Sequence, residues 1–348
     1  MLTDRTAPCS VRSFDEVVSE IPAGIRPYVQ PELLKCQIEI AGPPATCIEE
    51  LRHSLIDLRG AVVNAADRVG ARVLAAGTSP FPGIDYEITD RSRMRWAADR
   101  YGAVLTNGLH VHVGVPDAET GIKVLNYIRP WLPVLHALSA NSPFVSGVDS
   151  GHASSRSVLW ESSRPSARPT PYFESPSHYR DLVAAYTERG ESLDEGMVYW
   201  YSRLSSRYPT VELRMSDVSP SVDETILIAA LSRALVGMGL SSAGRRPGIR
   251  WDERLLLKAH RTAARDGLDG ASLTLEHCGP GTARQQVIGL FRHVKPELQR
   301  HGDLTVVASL LRRVFTLGSG SARQRALHQV RGVQGLLDHA TLRGQAGP

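Results

Sequence analysis

Lysine is nearly missing from this 348-residue chain: Lys35, Lys123, Lys258 and Lys295 are the whole complement, and arginine supplies the remaining positive charge. Net charge is only +4, with the arginines scattered among acids. Without a basic stripe interleaved with aromatics, a nucleic-acid partner is not expected. Cysteine is scarce too. Cys9, Cys36, Cys47 and Cys278 have no C-x-x-C spacing, so they read as reduced thiols of a cytoplasmic protein. No run of 18 apolar residues offers a membrane span, and the first ten residues lack the apolar stretch of a secretory leader. No membrane partner is expected. Familiar nucleotide and nucleophile motifs are absent as well: there is no G-x-x-x-x-G-K-[ST] or G-x-G-x-x-G, and Ser154, Ser155 and Ser157 do not sit in G-x-S-x-G.

Hydrophobic residues make up 42% and charged residues 22% of the chain, which is the balance of a globular protein with a sizeable core. Three apolar runs each carry two polar residues two positions apart. They are Gln37 and Glu39 in Cys36-Gln-Ile-Glu-Ile40, His110 and His112 in Leu109-His-Val-His-Val113, and Glu212 and Arg214 in Val211-Glu-Leu-Arg-Met215. Side chains alternate across a strand, so each run predicts one oily face and one chemical face. Gathering carboxylates, imidazoles and a guanidinium on one face costs desolvation unless they bind something, and a metal with phosphate suits that set.

Imidazoles at i and i+2 lie about 7 Å apart and can converge on a cation with ligands from a neighbouring strand. With carboxylate oxygens from Glu39 and Glu212 beside His110 and His112, the ion expected is hard, magnesium or manganese in preference to zinc. A lone His-x-His is more often structural, and Glu212 with Arg214 also fits a plain cross-strand ion pair. Around the Glu212 run, Arg203, Arg207, Arg214 and Asp217 surround a hairpin-like turn. Planar guanidiniums handle phosphate oxygens well, with Arg207 the one expected to be merely solvated.

From Asn141 to Pro176 the composition turns to Ser, Pro, Gly and Arg. So long a stretch without regular structure reads as a binding loop or lid. Within it Arg156 supplies charge, small residues let backbone amides approach an anion, and Trp160 offers a face for a ring. Elsewhere the patterning predicts a helix from Thr46 to Val69, a strand at Arg72–Ala76, and a helix from about Ala118 to Ala140 broken by Pro130 and Pro133. Five helices follow Ser221. The whole reads as one α+β domain over residues 1–348, sheet-rich over 31–217 and helical over 221–340.

Seven stretches, in order, resemble the glutamate-cysteine ligase type 2 group of carboxylate-amine ligases: Glu32-Leu-Leu-Lys-Cys-Gln-Ile-Glu-Ile40, Ala75-Ala-Gly-Thr-Ser-Pro80, Gly108-Leu-His-Val-His-Val-Gly114, Ser139-Ala-Asn-Ser-Pro-Phe144, Ser154-Ser-Arg-Ser-Val-Leu-Trp160, Pro209-Thr-Val-Glu-Leu-Arg-Met-Ser-Asp217 and Gly320-Ser-Ala-Arg-Gln-Arg325. The resemblance implies a glutamine-synthetase-like fold, a curved antiparallel sheet backed by helices, and ATP- and magnesium-dependent amide formation through an acyl phosphate, with an amino acid and an amine as substrates. It implies Glu39, His110 and Glu212 as metal-side ligands and Arg156 and Arg214 as partners of phosphate or substrate carboxylate. Members of that group open with a Gly-x-Glu-x-Glu strand. Here no such strand precedes Phe14, and the chain is expected to begin inside the following helix. Two alternatives therefore stay open: a member that binds ligand without ligase turnover, and an ATP-independent amide hydrolase or transferase. Subunit number is unread, a homo-oligomer included.

Overall fold

In the computed structural model, residues 1–6, 11–84, 86–242, 250–273 and 280–343 are described. Cys36 is buried and Cys47 exposed, both as free thiols; Cys9 and Cys278 lie outside the described residues. The expectation that the chain starts inside a helix is corrected. A strand, Leu2–Asp4, comes first and pairs antiparallel with Ala71–Val73. Only then does the helix Phe14–Ser19 follow, opened by a capping box in which Ser13 and Glu16 satisfy each other's backbone N–H.

The strand Ile38–Ile40 folds back on Val29–Pro31 with Gln30 opposite Glu39. Next comes the helix Ile48–Arg68. Its cap is Cys47 and not Thr46, because the Thr46 hydroxyl and N–H both donate to Glu50. Gly70, at φ +69, releases the chain into the Ala71–Val73 strand. As the prolines predict, the next long helical stretch is split. Ala118–Ile128 runs into a tight turn at Arg129–Trp131 holding Pro130, and Pro133 sits in the first turn of Leu132–Leu138, where its missing N–H costs nothing.

A three-stranded antiparallel sheet lies at the centre: Thr210–Asp217 between Gly108–Gly114 and Ser202–Leu204. Val211, Leu213 and Met215 point away from the chemical face into the main core, where they meet Val124, Leu125, Ile128, Leu135, Ile226 and Leu227. Each fully buried aliphatic chain there contributes roughly 2 kcal/mol from removal of apolar surface from water. The helix Val222–Ser242 is long and apolar enough to cross a bilayer by composition, yet most of it is buried in this core. Glu253–Asp266, Ala283–Arg300, Leu304–Leu317 and Gly320–Ala340 complete the helical half.

The stretch 141–176 is not the irregular lid its composition suggests. It holds a small hairpin, Phe144–Val145 with Val148–Asp149, and a nine-residue helix, Ser155–Ser163. Serines weaken local helix preference, so the pattern hid this helix. Tertiary bonds hold it: Ser154 Oγ donates to Asp217 Oδ1 at 2.9 Å, and the Arg156 N–H donates to Ser142 Oγ at 3.1 Å.

Candidate active site

The chemical face follows from strand alternation plus one irregularity. His112 pairs with Glu212 and Gly108 with Asp217, while between Leu109 and Val111 the single residue His110 opposes two, Arg214 and Met215. This β-bulge changes the parity of the Thr210–Asp217 strand, so Asp217 shares a face with Gly108, His110 and His112. The face thus has three parts: Glu212 with His112, Arg214 with His110, and Asp217 with Gly108.

Glu212, only 3% exposed, is the hub. Its Oε2 accepts from Arg203 Nε at 2.7 Å and its Oε1 from Arg214 at 3.2 Å. His110 Nδ1 lies 3.4 Å and His112 Nε2 3.9 Å from Oε1. Burial raises this carboxyl, but the Arg214 guanidinium, the His110 ring and Arg203 outweigh it and hold Glu212 well below the usual carboxylate range. It is therefore a fixed anion. Arg203 also donates to the carbonyls of Glu195, Gly196 and Val198, which fixes its plane. Burial pushes Arg214 down to about 10, which leaves it cationic at neutral pH. Crowding by protein atoms, then Arg214, holds His110 well below the ordinary imidazole range, although about a third of its side chain still meets solvent. His112 is shifted the same way by burial and hydrogen-bonds Thr210 Oγ1 through Nδ1.

Glu39 stands apart. Burial first, and then the carboxylates of Glu32 and Glu212, push its carboxyl up to about 7, against the pull of Arg214 and Arg207. Glu212 is thus one of the charges that act on Glu39. Among the described residues, however, no three His, Cys, Asp or Glu side chains are set closely enough to hold a metal ion. Gln37, its neighbour two positions away, is not a ligand. It is buried and ties Leu34, Thr106 and Asn107 together.

Arg156 and Trp160 lie on the helix that covers the Asp217 end. Arg156 donates to the Met215 and Arg214 carbonyls, both at 3.3 Å, and packs on Gly108 so tightly that an added Cβ would clash with its guanidinium. Its Nε has no partner among the described residues. The expectation of an open, anion-facing Arg156 is thus corrected: two of its nitrogens are spent on strand carbonyls. Trp160 is corrected too. Its ring lies 4.6 Å from the Arg156 guanidinium, 4.7 Å from Arg164 and 5.7 Å from Arg214, so it is a platform for arginines and not a free face for a ligand ring. Its Nε1 donates to Thr106 Oγ1 at 2.7 Å. Arg164 and Tyr199 complete this layer. No pattern marked Arg164, or Glu32 beside Glu39; only folding brings them here. Arg207 is exposed in the turn, as read.

A sheet with one cationic face, arginines stacked on aromatics beneath it and a helical half behind it suits a carboxylate-amine ligase. The chain belongs to glutamate-cysteine ligase family 2, whose model matches residues 11–340. A candidate glutamate–cysteine ligase 2 of Salinispora arenicola is 41% identical over 326 residues, covering 91% of this chain and 85% of its own. A similarly named protein of Nocardia farcinica is 37% identical, covering 99% and 92%. Among solved structures, the glutamate–cysteine ligase of Francisella tularensis in complex with AMP superposes with a TM-score of 0.68 at 13% identity, covering 98% of this chain and 85% of that one. The Pup ligase PafA in complex with ADP gives 0.56 at 10% identity, covering 90% and 69%. At these identities the two structures speak for the fold.

Proposed function

We propose that this ligase joins an amino-acid carboxylate, glutamate's γ-carboxylate in the leading case, to an amine at the expense of ATP. A substrate carboxylate oxygen bonds to the γ-phosphorus as the bond to the β-phosphate oxygen breaks, releasing ADP. The amine nitrogen then attacks the acyl carbon, the carbon–oxygen bond to phosphate breaks, the nitrogen gives up one proton to solvent, and phosphate leaves with the amide formed.

The observation that carries this reading is the excess of cations on one sheet face. Arg203 and Arg214 flank the firmly ionised Glu212, and Arg156 stands at the other end of the face, 3.9 Å from Asp217. Preorganised positive charge of that kind stabilises a transferring phosphoryl group by position and electrostatics, without reorganising during reaction. Arg214 is the phosphate-facing candidate; Arg203, with Nε on Glu212 and Nη1 on three backbone carbonyls, adds positive charge at a fixed place. Glu212 keeps both guanidiniums in place, and Arg156 supports the strand that carries Arg214.

Magnesium or manganese fits the donor chemistry at one place. The Glu39 carboxyl is crowded by Glu32 and Glu212, and a hard cation would relieve that repulsion. Glu39 would be its main ligand, since Glu212 gives its oxygens to Arg203 and Arg214 and the described residues, His110 and His112 included, do not gather three ligands as they stand; the ion would neutralise phosphate oxygens. A second reading, a member that binds nucleotide without turnover, draws support from Glu212 spending both oxygens on arginines.

One assay separates the two. Release of ADP in the presence of glutamate and a panel of amines, with mass-spectrometric detection of the amide, is expected for at least one pair. Tight nucleotide binding with no turnover for any pair would select the second reading.

A further inference from the structure

At the Asp217 end of the sheet, five buried polar groups stand in a row that the ligase reading leaves unused. Asp217 Oδ1 is 2.9 Å from Ser154 Oγ, which is 3.0 Å from Ser157 Oγ. Ser157 Oγ is 2.6 Å from His136 Nε2, and His136 Nδ1 faces His260 Nδ1 at 3.2 Å. All five are at most 5% exposed. They come from four elements: the Thr210–Asp217 strand, the Arg156 helix with its N-cap Ser154, Leu132–Leu138, and Glu253–Asp266.

Four contacts in series need four hydrogens, one for each. With Asp217 ionised and both imidazoles neutral, the two hydroxyls and two rings supply that number, and only one arrangement uses them all. Ser154 must donate to Asp217, so Ser157 donates to Ser154. His136 then carries its hydrogen on Nε2 and donates to Ser157. Its bare Nδ1 accepts from Nδ1–H of His260. The far nitrogen, His260 Nε2, has no partner among the described residues; in this arrangement it is a bare lone pair, the cheaper kind of orphan.

The reversed chain needs a proton on Asp217 and leaves an orphan N–H on His260. Burial raises the Asp217 carboxyl, but its contacts are those of an anion: Oδ2 already accepts from the Asn141 N–H at 2.8 Å and from Ser142 Oγ at 2.7 Å, and Arg156 lies 3.9 Å from Oδ1.

We infer that His136, oriented by His260, is a positioning residue: it fixes Ser157 and thereby clamps the first turn of the Arg156 helix, and the Arg156 guanidinium, to the sheet. The inference rests on the ligase reading only for its effect on turnover. The ring of Tyr201, 4.4 Å from His260 and 6.1 Å from His136, closes the cluster on its apolar side. Arg156 is the charged group that acts on His136.

Nitrogen-15 NMR of the imidazoles in the full chain tests the arrangement. Hydrogens on His136 Nε2 and His260 Nδ1 are expected; the opposite pair of tautomers, or a charged ring at pH 7.5, overturns it. His136→Leu and Ser157→Ala test the clamp. Each is expected to speed solvent exchange of the buried Arg156 Nε–H at least tenfold, and His136→Gln, which keeps a donor near Ser157, to restore most of the protection. Where turnover is measured, each single change is expected to lower kcat about tenfold with KM little altered, and the double change no further. Losses that multiply, or unchanged Arg156 exchange in a folded His136→Leu protein, overturn the proposal. A wild-type protein without turnover would refute the ligase reading alone, since tautomers and exchange are read without substrate.

Discussion

Arg203 and Glu212 face each other across neighbouring strands, Nε to Oε2 at 2.7 Å, with the arginine's Nη1 shared among three backbone carbonyls. The carboxylate holds a cation whose position the backbone has already fixed. Removing one partner of such a buried pair leaves the other charge uncompensated. Glu212→Gln is expected to cost about 3 kcal/mol in denaturant unfolding and to lower turnover by roughly two orders of magnitude. Full activity with unchanged stability would show that Glu212 organises nothing.

Gly108 is the residue on which the Arg156 guanidinium rests. Gly108→Ala places a methyl where the guanidinium lies, so Arg156 must shift and the strand carrying Arg214 shifts with it. Misplacement by about 1 Å can cost up to about a hundredfold in rate. The substitution should spare nucleotide affinity more than kcat, which steady-state kinetics beside calorimetry will reveal.

His136 and His260 give the fold a pH dependence of defined sign. Burial, and then Arg156, pushes His136 down to about 3; burial, and then His136, takes His260 well below the usual imidazole value. Both rings are neutral in the folded protein and titrate near 6.5 when unfolded. Their contribution to stability is therefore complete above pH 6.5 and is lost as pH falls from there toward the folded values. His136 alone accounts for about 2 kcal/mol lost by pH 5. Unfolding free energies measured between pH 7 and 5 should fall steeply in the wild type and less steeply in His136→Leu. A parallel slope in the two would contradict the assignment.

Trp160 holds guanidiniums with its faces and Thr106 with its edge. Trp160→Phe keeps most of the platform and gives up one hydrogen bond, a loss of about 1 kcal/mol. Trp160→Ala removes the platform, at about 3 to 5 kcal/mol. Turnover should survive the first change within a few-fold and collapse in the second. Urea midpoints and initial rates on both variants check the pair.

Much of this was readable before folding. The alternation in Leu109–Val113 and Val211–Met215 placed His110, His112, Glu212 and Arg214 on one face because strand periodicity is a local property. The prolines split their helix where the missing N–H and fixed φ demand. Three things were hidden. The helix Ser155–Ser163 owes its existence to bonds with Asp217 and Ser142, far away in sequence. The partners of Arg156 and Trp160 are carbonyls and guanidiniums from other elements, so residue type suggested anion and ring binding where the fold uses both for support. Glu32 raises Glu39 only after the Val29–Ile40 hairpin closes.

The bulge opposite His110 makes the site depend on an odd count. A perfectly regular ladder through Arg214 would offer Ser216 beside Gly108 and turn Asp217 toward the oily side. The Ser154 and Ser142 hydroxyls would then have no carboxylate to meet, and the covering helix no anchor. Anyone transplanting this strand pair into another scaffold, or shortening it by a single residue, must carry that extra position along; hydrophobic pattern alone would rebuild the sheet and mislay its chemistry.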